Sequence, residues 1–591
     1  MRFPRSLGPG RSVRWTVCVL WALGCAKTDR EVPICSSDGV CWEFPKPQGN
    51  ALFAVSGTSQ RNVLAVGESG TILHYDGESW QKIPTDTDQT LRGVYSFSER
   101  DAWVVGAEGV ALHYDGVSMS RVETGTKETL YSVWGSSANE VFFAGAHTTL
   151  LRFNGKTVQK IDLPGERPNL TLHALFGFAW DNVWAAGTDG LVRHYDGANW
   201  VKGSVAAYPN DFRAVFGSRP SAVWLAAGTP YSGRMYYVTS SALPLTDRSL
   251  HSVTGNPSAL YGFGVADVWA GTVPGALFRY DGRTWKKQKD NIPCHGLWGS
   301  APNDLWSVGP SGHIAHFDGS KWTGYGEPVG LSVVALWAQR PRQIWAIRGT
   351  ERLRLTPKGW SVDKLPVTSP PRAMVALSDR DVWLAGEGAT LRHFDGTKWQ
   401  VHNLASRGAA GFSAFWASSA RDVWAVGSFG TVAHFTGQEW AVLSKPTSES
   451  LLAVDGSSAR DIWAVGIRGE SVHFDGEQWA GITTGVTDHL HGVSSCGPRN
   501  AWAVGIKGTI IHWDGARWQR IEGPAKTALN GVLCRNEKDV WVVGDQGLVL
   551  RFDGRTWKQL KSGTSHDLTQ LLYDGRGVWV ASRQGAILSV R

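Results

Sequence analysis

One motif recurs fourteen times along this chain of 591 residues, at intervals of about forty residues. A well-preserved copy reads Asp-Ile-Trp-Ala-Val-Gly at 461–466 and His-Phe-Asp-Gly-Glu-Gln-Trp at 473–479. The central Trp, or the residue that replaces it, lies at Leu64, Trp103, Phe142, Trp184, Trp224, Trp269, Trp306, Trp345, Trp383, Trp424, Trp463, Trp502, Trp541 and Trp579. A repeat of this length indicates a propeller or a solenoid, and it constrains every local interpretation.

Each repeat contains four short apolar or alternating runs, separated by Gly, Asp, Asn or Ser. Around Trp424 these runs are 412–416, 423–426, 431–435 and 440–443. Such runs, rich in Val, Trp and Phe and bounded by turn residues, are typical of strands, and no helical periodicity interrupts them. Four antiparallel strands per repeat predict a propeller blade, and propellers usually have roughly four to eight blades. The chain is therefore predicted to be all-β, with two tandem seven-bladed β-propellers built from 14 four-stranded repeats.

The two ends of the chain predict how the rings close. The last repeat stops at Arg591 after its third strand, and an isolated run at 41–45 resembles the fourth strand at 79–83. If each ring is closed by its own N-terminal strand, residues 41–319 form the first propeller, closed by the strand at Trp42. Residues 320–591 then form the second, opened by the strand at Trp322. The alternative, in which the Trp42 strand returns to the second ring, stays open; either closure removes an exposed sheet edge.

The recurring polar residues of the motif are predicted to be structural. An Asp-Gly pair favours a tight hairpin before the fourth strand. The position two residues before the Asp is occupied by His in eight repeats and by Arg in four. The His residues are His74, His113, His194, His316, His393, His434, His473 and His512. The Arg residues are Arg152, Arg279, Arg354 and Arg551. These His residues lie on separate blades, and Arg is not a metal ligand. We therefore predict a repeated hydrogen bond that steadies the hairpin, not a metal or catalytic site.

The first residues of the chain indicate the compartment. Arg2, Arg5, Arg11 and Arg14 precede an apolar stretch at 15–23, which is typical of a secretory signal and too short to span a membrane. The following Ala-Leu-Gly-Cys at 22–25 resembles a bacterial lipobox. This resemblance implies a signal peptide at 1–24, lipidation of Cys25, and a lipid-anchored linker at 25–40; ordinary signal-peptide cleavage is the alternative. Ala26 lacks the Asp associated with inner-membrane retention, which favours an extracytoplasmic protein of the outer membrane, either periplasmic or at the cell surface.

The cysteines and the charge fit an oxidising compartment. Cys35 and Cys41 enclose a short loop and are predicted to form a disulfide. A bridge between Cys496 and Cys534 stays open, and Cys294 is predicted to be buried and inert. Without the four arginines of the signal, 59 basic residues become 55 against 52 acidic ones. A net charge of that size does not indicate a nucleic-acid partner.

The search for catalytic motifs identifies no metalloprotease helix, nucleophile elbow or paired-Cys zinc site. No catalytic residue, metal or cofactor is therefore predicted. The Asp-Gly-x-x-Trp hairpin, as at 475–479, resembles a shortened Asp-box of sialidase-type propellers and the docking motif of quinoprotein propellers. The Val-Trp-Ala-Val-Gly strand, as at 423–427, is similar to tectonin-type propeller lectins. Over 41–591 the chain most resembles bacterial secreted lipoproteins built from Trp/Asp-Gly propeller repeats.

Candidate ligand-binding residues lie in the irregular loops, because loops on a rigid scaffold often carry function. The longest irregular stretch, 228–260, contains Tyr231, Arg234, Tyr236, Tyr237 and His251. The turns between second and third strands carry Glu68, Glu108 and Asp189 in the first ring, and Arg348, Arg468, Lys507 and Arg583 in the second. The second set suggests a basic mouth for an anionic partner. For the stretch at 228–260 the alternative is a degenerate blade with an insertion. For the charged turns the alternative is ordinary solvated turns.

These features predict a non-enzymatic, membrane-anchored scaffold, monomeric, that binds a protein or a cell-surface polysaccharide through its loop faces. The alternative is a carbohydrate-active enzyme, either a glycoside hydrolase or a lyase of the sialidase-like kind. Paired carboxylates about 5–10 Å apart in a channel mouth would favour the enzyme.

Overall fold

The computed structural model describes residues 34–163, 165–203, 211–228, 232–238, 251–325 and 331–590. The signal peptide and Cys25 lie outside these residues, as does most of the proposed linker. The described chain is all-β, with 56 strands in 14 antiparallel four-stranded sheets. Short 3-10 turns occur at Ala107–Gly109, Thr188–Gly190, Pro310–Gly312, Ala405–Arg407, Ser428–Gly430, Ile467–Gly469, Ile506–Gly508 and Asp545–Gly547. The predicted fold class, two seven-bladed propellers, is confirmed.

The first ring contains seven blades in chain order. Blade 1 comprises Leu52–Ser59, Asn62–Gly67, Ile72–Tyr75 and Trp80–Lys82, and blade 2 comprises Leu91–Ser98, Asp101–Gly106, Ala111–Tyr114 and Met119–Arg121. Blade 3 comprises Leu130–Ser137, Glu140–Gly145, Leu150–Phe153 and Val158–Lys160, and blade 4 comprises Leu172–Ala179, Asn182–Gly187, Val192–Tyr195 and Trp200–Lys202. Blade 5 comprises Phe212–Arg219, Ala222–Gly228, Ser232–Val238 and His251–Thr254. Blade 6 comprises Asn256–Gly264, Asp267–Val273, Ala276–Tyr280 and Trp285–Asp290, and blade 7 comprises Gly296–Ala301, Asp304–Val308, Ile314–Phe317 and Trp322–Tyr325.

The second ring contains blades 8 to 14. Blade 8 comprises Val333–Arg340, Gln343–Arg348, Glu351–Thr356 and Gly359–Lys364, and blade 9 comprises Ala373–Ser378, Asp381–Ala385, Thr390–Phe394 and Trp399–Asn403. Blade 10 comprises Phe412–Ser419, Asp422–Gly427, Val432–Phe435 and Trp440–Val442, and blade 11 comprises Leu451–Ser458, Asp461–Gly466, Ser471–Phe474 and Trp479–Gly481. Blade 12 comprises Leu490–Gly497, Asn500–Gly505, Ile510–Trp513 and Trp518–Arg520, and blade 13 comprises Leu529–Asn536, Asp539–Gly544, Val549–Phe552 and Trp557–Leu560. Blade 14 comprises Leu568–Tyr573, Val578–Ser582, Ile587–Val590 and, from the start of the chain, Val40–Phe44.

Packing between blades explains the sequence pattern of the strands. First strands of neighbouring blades lie against one another, so they are the innermost strands and surround the channel. The second strand has a neighbouring blade on each face. It is therefore a continuous apolar run, and in Asp461–Gly466 all six residues are buried. The rings close where blade 1 packs against blade 7 and blade 8 packs against blade 14.

The predicted closure of the first ring by the Trp42 strand is wrong. Val40–Phe44 pairs antiparallel with Ile587–Val590, and so it completes blade 14 of the second ring. The Trp322–Tyr325 strand pairs with Ile314–Phe317 and is the fourth strand of blade 7, not the opening of the second ring. The first ring therefore spans 52–325, and the second combines 333–590 with 40–44. The alternative left open by the sequence is correct, because the missing edge belongs to the last blade.

The register of this closing strand also differs from the sequence match. Val40 lies opposite Val590, whereas in blade 1 it is Trp80 that lies opposite Tyr75. Val40, and not Trp42, therefore occupies the position of Trp80. Trp42 lies two residues further along the strand, where it is 2% exposed and its ring meets His566 at 5.7 Å.

Residues that follow the closing strand connect the two rings. The Asn50 side chain donates to Thr71 Oγ1 at 3.0 Å in the first ring and to the Gly563 carbonyl at 2.7 Å in the second. Ser565, in the linker between blades 13 and 14, donates to Glu68 of blade 1 at 3.1 Å. The rings are thus joined by polar contacts, which are buried or partly buried at Asn50 and exposed at Ser565, as well as by the chain itself.

The cysteines form two pairs in the described residues. Cys35 is joined to Cys41, which closes the loop in front of the closing strand. Cys496 and Cys534 are joined across blades 12 and 13, a pairing that the sequence left open. Cys294 is buried in the first ring, and this burial raises the pKa of its thiol to about 12.

Candidate functional site

The eight repeated histidines belong to the framework of the blades. Each His donates from Nε2–H a hydrogen bond of 2.6–2.9 Å to Oδ1 of an Asp or Asn that lies twelve residues earlier, near the start of the second strand. In seven of these blades the imidazole also packs on the central Trp, with ring centroids 3.9–4.9 Å apart. The hydrogen bond is repeated as predicted, but it joins the second and third strands and does not steady the Asp-Gly hairpin. Arg279 makes the equivalent contact with Asp267, at 2.7 and 2.9 Å.

The Asp-Gly pairs form the turns between third and fourth strands. Asp475 Oδ1 accepts the backbone N–H groups of Glu477 and Gln478, both at 2.9 Å. These hydrogen bonds favour the carboxylate and lower the pKa of Asp475. Gly476 has a φ of 102°, which L side chains rarely adopt. Asp therefore stabilises the turn through its side chain, and only Gly needs the left-handed backbone.

The four cations predicted to form a basic mouth in the second ring each have an acidic partner. Arg348 is buried against Glu351 at 2.7 Å, and its guanidinium lies over the Phe44 ring. The other three pairs are Arg468 with Glu449 at 3.1 Å, Lys507 with Asp488 at 2.9 Å, and Arg583 with Asp567 at 3.7 Å. These turns therefore carry ion pairs, and Arg348 supports the closing strand from inside the ring.

The irregular stretch in blade 5 divides into packing residues and exposed residues. Tyr236 is buried and meets Phe212 edge to face at 5.4 Å. Tyr237 lies opposite Trp224 and packs on it at 4.6 Å, in the place that His occupies in other blades. Arg234 is exposed on the same strand, and His251 lies on the fourth strand. Tyr231 lies outside the described residues.

A different group of residues surrounds one rim of the first channel, and the sequence analysis did not identify it. In most first strands the second residue is a β-bulge, which interrupts the pairing with the second strand, as between Leu52 and Ala54. A bulge re-aims its side chain and is frequent next to binding sites. The seven residues at this position in the first ring are Phe53, Arg92, Tyr131, His173, Arg213, Ser258 and His295. We call this set the first-ring rim; it lies on the face that carries the blade linkers and the second-to-third turns.

Contacts between neighbouring blades connect the first-ring rim. The Phe53 ring is stacked on His295 at 5.2 Å, and the Arg92 guanidinium lies 4.1 Å from the Phe53 centroid. Tyr131 meets His173 edge to face at 5.2 Å. All members except the exposed Arg213 are partly buried, as expected at the mouth of a channel. The rim therefore contains two groups of contacting side chains, His295–Phe53–Arg92 and Tyr131–His173, which come from five of the seven blades.

The electrostatics of the first-ring rim keep its histidines neutral near pH 7. Burial lowers the pKa of His173 to about 4, and the nearby Arg213 lowers it further against the opposing effect of Asp211. Burial also lowers the pKa of His295, and Arg92 acts in the same direction. His295 donates from Nδ1 to the Leu52 carbonyl at 3.0 Å in the neutral form, which fixes the ring against Phe53.

The equivalent rim of the second ring has a different character. Its bulge-position residues are Val334, Arg372, Ser413, Leu452, His491, Asn530 and Thr569. Arg372 is exposed, and two members are aliphatic. The two rims therefore present different chemistry on one architecture, and the first is the stronger candidate for a binding site because of its connected aromatic and cationic groups.

Asp455 and Asp461, near the second channel, form a pair of carboxyl groups of the kind that the enzymatic alternative requires. Asp455 accepts the Ser495 N–H at 2.9 Å, and Ser495 Oγ donates to Asp461 at 3.1 Å. Burial raises the pKa of Asp455 to about 6. Burial also raises the pKa of Asp461, but hydrogen bonds from His473, Ser457 and Ser495 outweigh it and leave the pKa lowered. Ser56 accepts the Ser96 N–H in the same inter-blade geometry as Asp455, so this pair fits the framework of the repeat.

Comparisons with known proteins support the architecture. No protein-family model matches the chain, and no curated protein resembles it in sequence. The GH74 enzyme of Niastella koreensis is 10% identical, with a TM-score of 0.58 over 93% of this chain and 99% of that one. PorZ, an essential bacterial surface component of the type-IX secretion system of Porphyromonas gingivalis, is 12% identical, with a TM-score of 0.60 over 92% of this chain and 86% of that one. At these identities the likeness shows the fold alone, and the class it defines is that of tandem propeller proteins.

Proposed function

We propose that this protein is a non-enzymatic binding scaffold that is held outside the cytoplasm by a lipid on Cys25. It recognises a partner protein or a surface glycan on the face that carries the blade linkers. The observation that carries the proposal is the first-ring rim, in which blades 7, 1 and 2 bring together His295, Phe53 and Arg92. The repeated His and Asp residues are engaged within their blades, which supports binding over catalysis.

The proposed membrane anchor depends on the thiol of Cys25. In the described residues no helix is long and apolar enough to cross a membrane. Cys25→Ala is expected to move the protein from the membrane fraction to the soluble extract, measured by fractionation and immunoblotting. The control is Cys294→Ala, a buried thiol in the first ring, which is expected to fractionate like the parent chain. Unchanged membrane association of Cys25→Ala would contradict lipid anchoring.

The proposed binding face predicts which positions contact a partner in the cell. A photoreactive benzoyl-phenylalanine at Tyr131, in the first-ring rim, is expected to give covalent adducts when envelopes are irradiated. The same residue at Trp180 is the matched control, since Trp180 is 47% exposed in a turn on the opposite face. Adducts are detected by a mass shift on immunoblots and identified by mass spectrometry.

Two outcomes of this experiment would contradict the proposal. Adducts from Trp180 and none from Tyr131 would place the partner on the opposite face. Turnover of glycosidase substrates by the purified protein, abolished by Asp455→Asn, would establish the enzymatic alternative in the second channel.

A further inference from the structure

Arg92 stands apart from the other cations of the first-ring rim. Its guanidinium carbon lies 4.1 Å from the centroid of Phe53, and the Phe53 ring is stacked on His295 with an interplanar angle of 12°. The three groups come from blades 2, 1 and 7, at the seam where the first ring closes. Stacking on a ring face fixes the orientation of a guanidinium, so its N–H donors are already positioned before a ligand arrives.

The donors of Arg92 are not used by the described part of the chain. Arg92 makes no ion pair or side-chain hydrogen bond with any described residue, and its Nε is buried without a partner. The nearby carboxylate of Glu68 is engaged elsewhere, because it accepts from the Ala51 N–H at 3.2 Å and from Ser565 at 3.1 Å. Arg213, the other rim arginine, has Asp211 at 3.9 Å. The two terminal guanidinium nitrogens are not among the buried unpartnered atoms, so an incoming acceptor can reach their N–H donors.

We propose that the first-ring rim binds a carboxylate of an acidic peptide segment in a partner protein, with Arg92 as the bidentate donor. A carboxylate matches the planar fork of a guanidinium, and such charge-assisted pairs are stronger than neutral hydrogen bonds. The carboxylate is that of an Asp or Glu side chain or of the chain terminus. This assignment rests on the binding function proposed above and specifies its chemistry.

The same geometry argues against a glycan as the ligand of this rim. Sugar rings commonly pack on open aromatic faces, but the Phe53 ring is already in contact with both the Arg92 guanidinium and the His295 ring. Tyr131 in turn meets His173 edge to face at 72°, so that side of the rim is also occupied by a protein ring. The rim therefore offers positioned donors in preference to free aromatic faces.

The test measures binding of defined unlabelled peptides to the full mature chain by isothermal titration calorimetry, at low ionic strength where screening is weak. One peptide carries two Glu side chains and an amidated terminus, the second replaces Glu by Gln and has a free terminal carboxylate, and the third has Gln and an amidated terminus. At least one carboxylate peptide is expected to bind, and the third peptide is not. The first two peptides distinguish a side-chain carboxylate from a chain end.

Substitutions at Arg92 then test its role. Arg92→Gln is expected to weaken binding about tenfold to a hundredfold, as loss of charged hydrogen bonds implies. Arg92→Lys keeps the charge but not the fork, and it is expected to lose most of the same affinity. Phe53→Leu, which removes the stacking surface, is also expected to weaken binding. Arg372→Gln, at the same strand position in blade 9, is the matched control and is expected to leave binding unchanged.

Several outcomes would overturn the assignment. These are equal binding of the three peptides, binding that Arg92→Gln does not change, or preferential binding of an oligogalacturonate, which would identify an acidic glycan instead. If Arg92→Gln lowers the melting temperature, the comparison uses Phe53→Leu and Arg92→Lys. Adducts at Tyr131 in cells together with no peptide binding would remove the carboxylate assignment and leave the proposed scaffold function in place.

Discussion

Removal of residues 34–44 is expected to unfold the second propeller while the first propeller stays folded. The deleted strand completes blade 14, and Val40, Trp42 and Phe44 in it are at most 2% exposed. Burying three large apolar side chains contributes about 5–9 kcal/mol at roughly 1.5–3 kcal/mol each, which is comparable with the whole stability of many domains. Deletion also exposes the edge of Ile587–Val590, which favours aggregation. Hydrogen exchange by mass spectrometry on peptides of both rings measures the effect.

A circular permutant is the matched control for this deletion. In blade 1 four residues separate Tyr75 from Trp80, the positions that correspond to Val590 and Val40. A chain that begins at residue 45 and continues from Val590 through a four-residue Asp-Gly turn into 40–44 is therefore expected to restore protection in the second ring. Protection of 333–590 that is unchanged by the deletion would show that the closing strand is dispensable. Loss of protection in the first ring as well would show that the two rings unfold as one unit.

The sequence predicted the fold because a propeller depends on a repeat, and the repeat is written in residues with clear turn and strand preferences. It did not predict the ring to which the Trp42 strand belongs, since closure by either ring satisfies the same local pattern. That choice depends on contacts between distant residues, such as Glu43 with Ser589 at 2.7 Å. The relevant feature of the sequence was that the last repeat lacks a fourth strand of its own, which favours closure of the second ring by the Trp42 strand.

The candidate site was harder to predict than the fold. The sequence predicted ligand-binding residues in the charged turns and in the long irregular stretch, yet Arg348 supports the closing strand and Tyr236 packs inside a blade. The first-ring rim lies instead at one position of the regular repeat. Alignment of the fourteen first strands would have shown Phe53, Arg92 and His295 at a shared position. The structure was needed to show that the side chains at this position contact those of neighbouring blades, as Phe53 contacts His295.

Replacement of a central tryptophan is expected to have the second largest effect on stability. Trp463 has 0% exposure, stacks on His473 at 4.2 Å, and meets Trp518 of the next blade edge to face at 5.0 Å. Trp463→Ala removes an inter-blade contact as well as the support of the His473–Asp461 hydrogen bond. Such a change in a core costs about 3–5 kcal/mol. Urea denaturation is expected to show a lower midpoint for the second ring. Hydrogen exchange is expected to show the largest loss of amide protection in blades 11 and 12.

The matched control separates the inter-blade role from the loss of a tryptophan as such. Trp180 is 47% exposed in a turn of the first ring, and Trp180→Ala is expected to change stability by less than about 0.5 kcal/mol. Equal effects of the two substitutions would contradict the view that the central Trp, supported by its stacked His, holds neighbouring blades together. A large effect of Trp463→Ala confined to the second ring would instead show that each propeller is stabilised by the contacts between its own blades. In that case the rim of the first propeller can vary in sequence without loss of the fold, because its side chains lie outside this repeated contact.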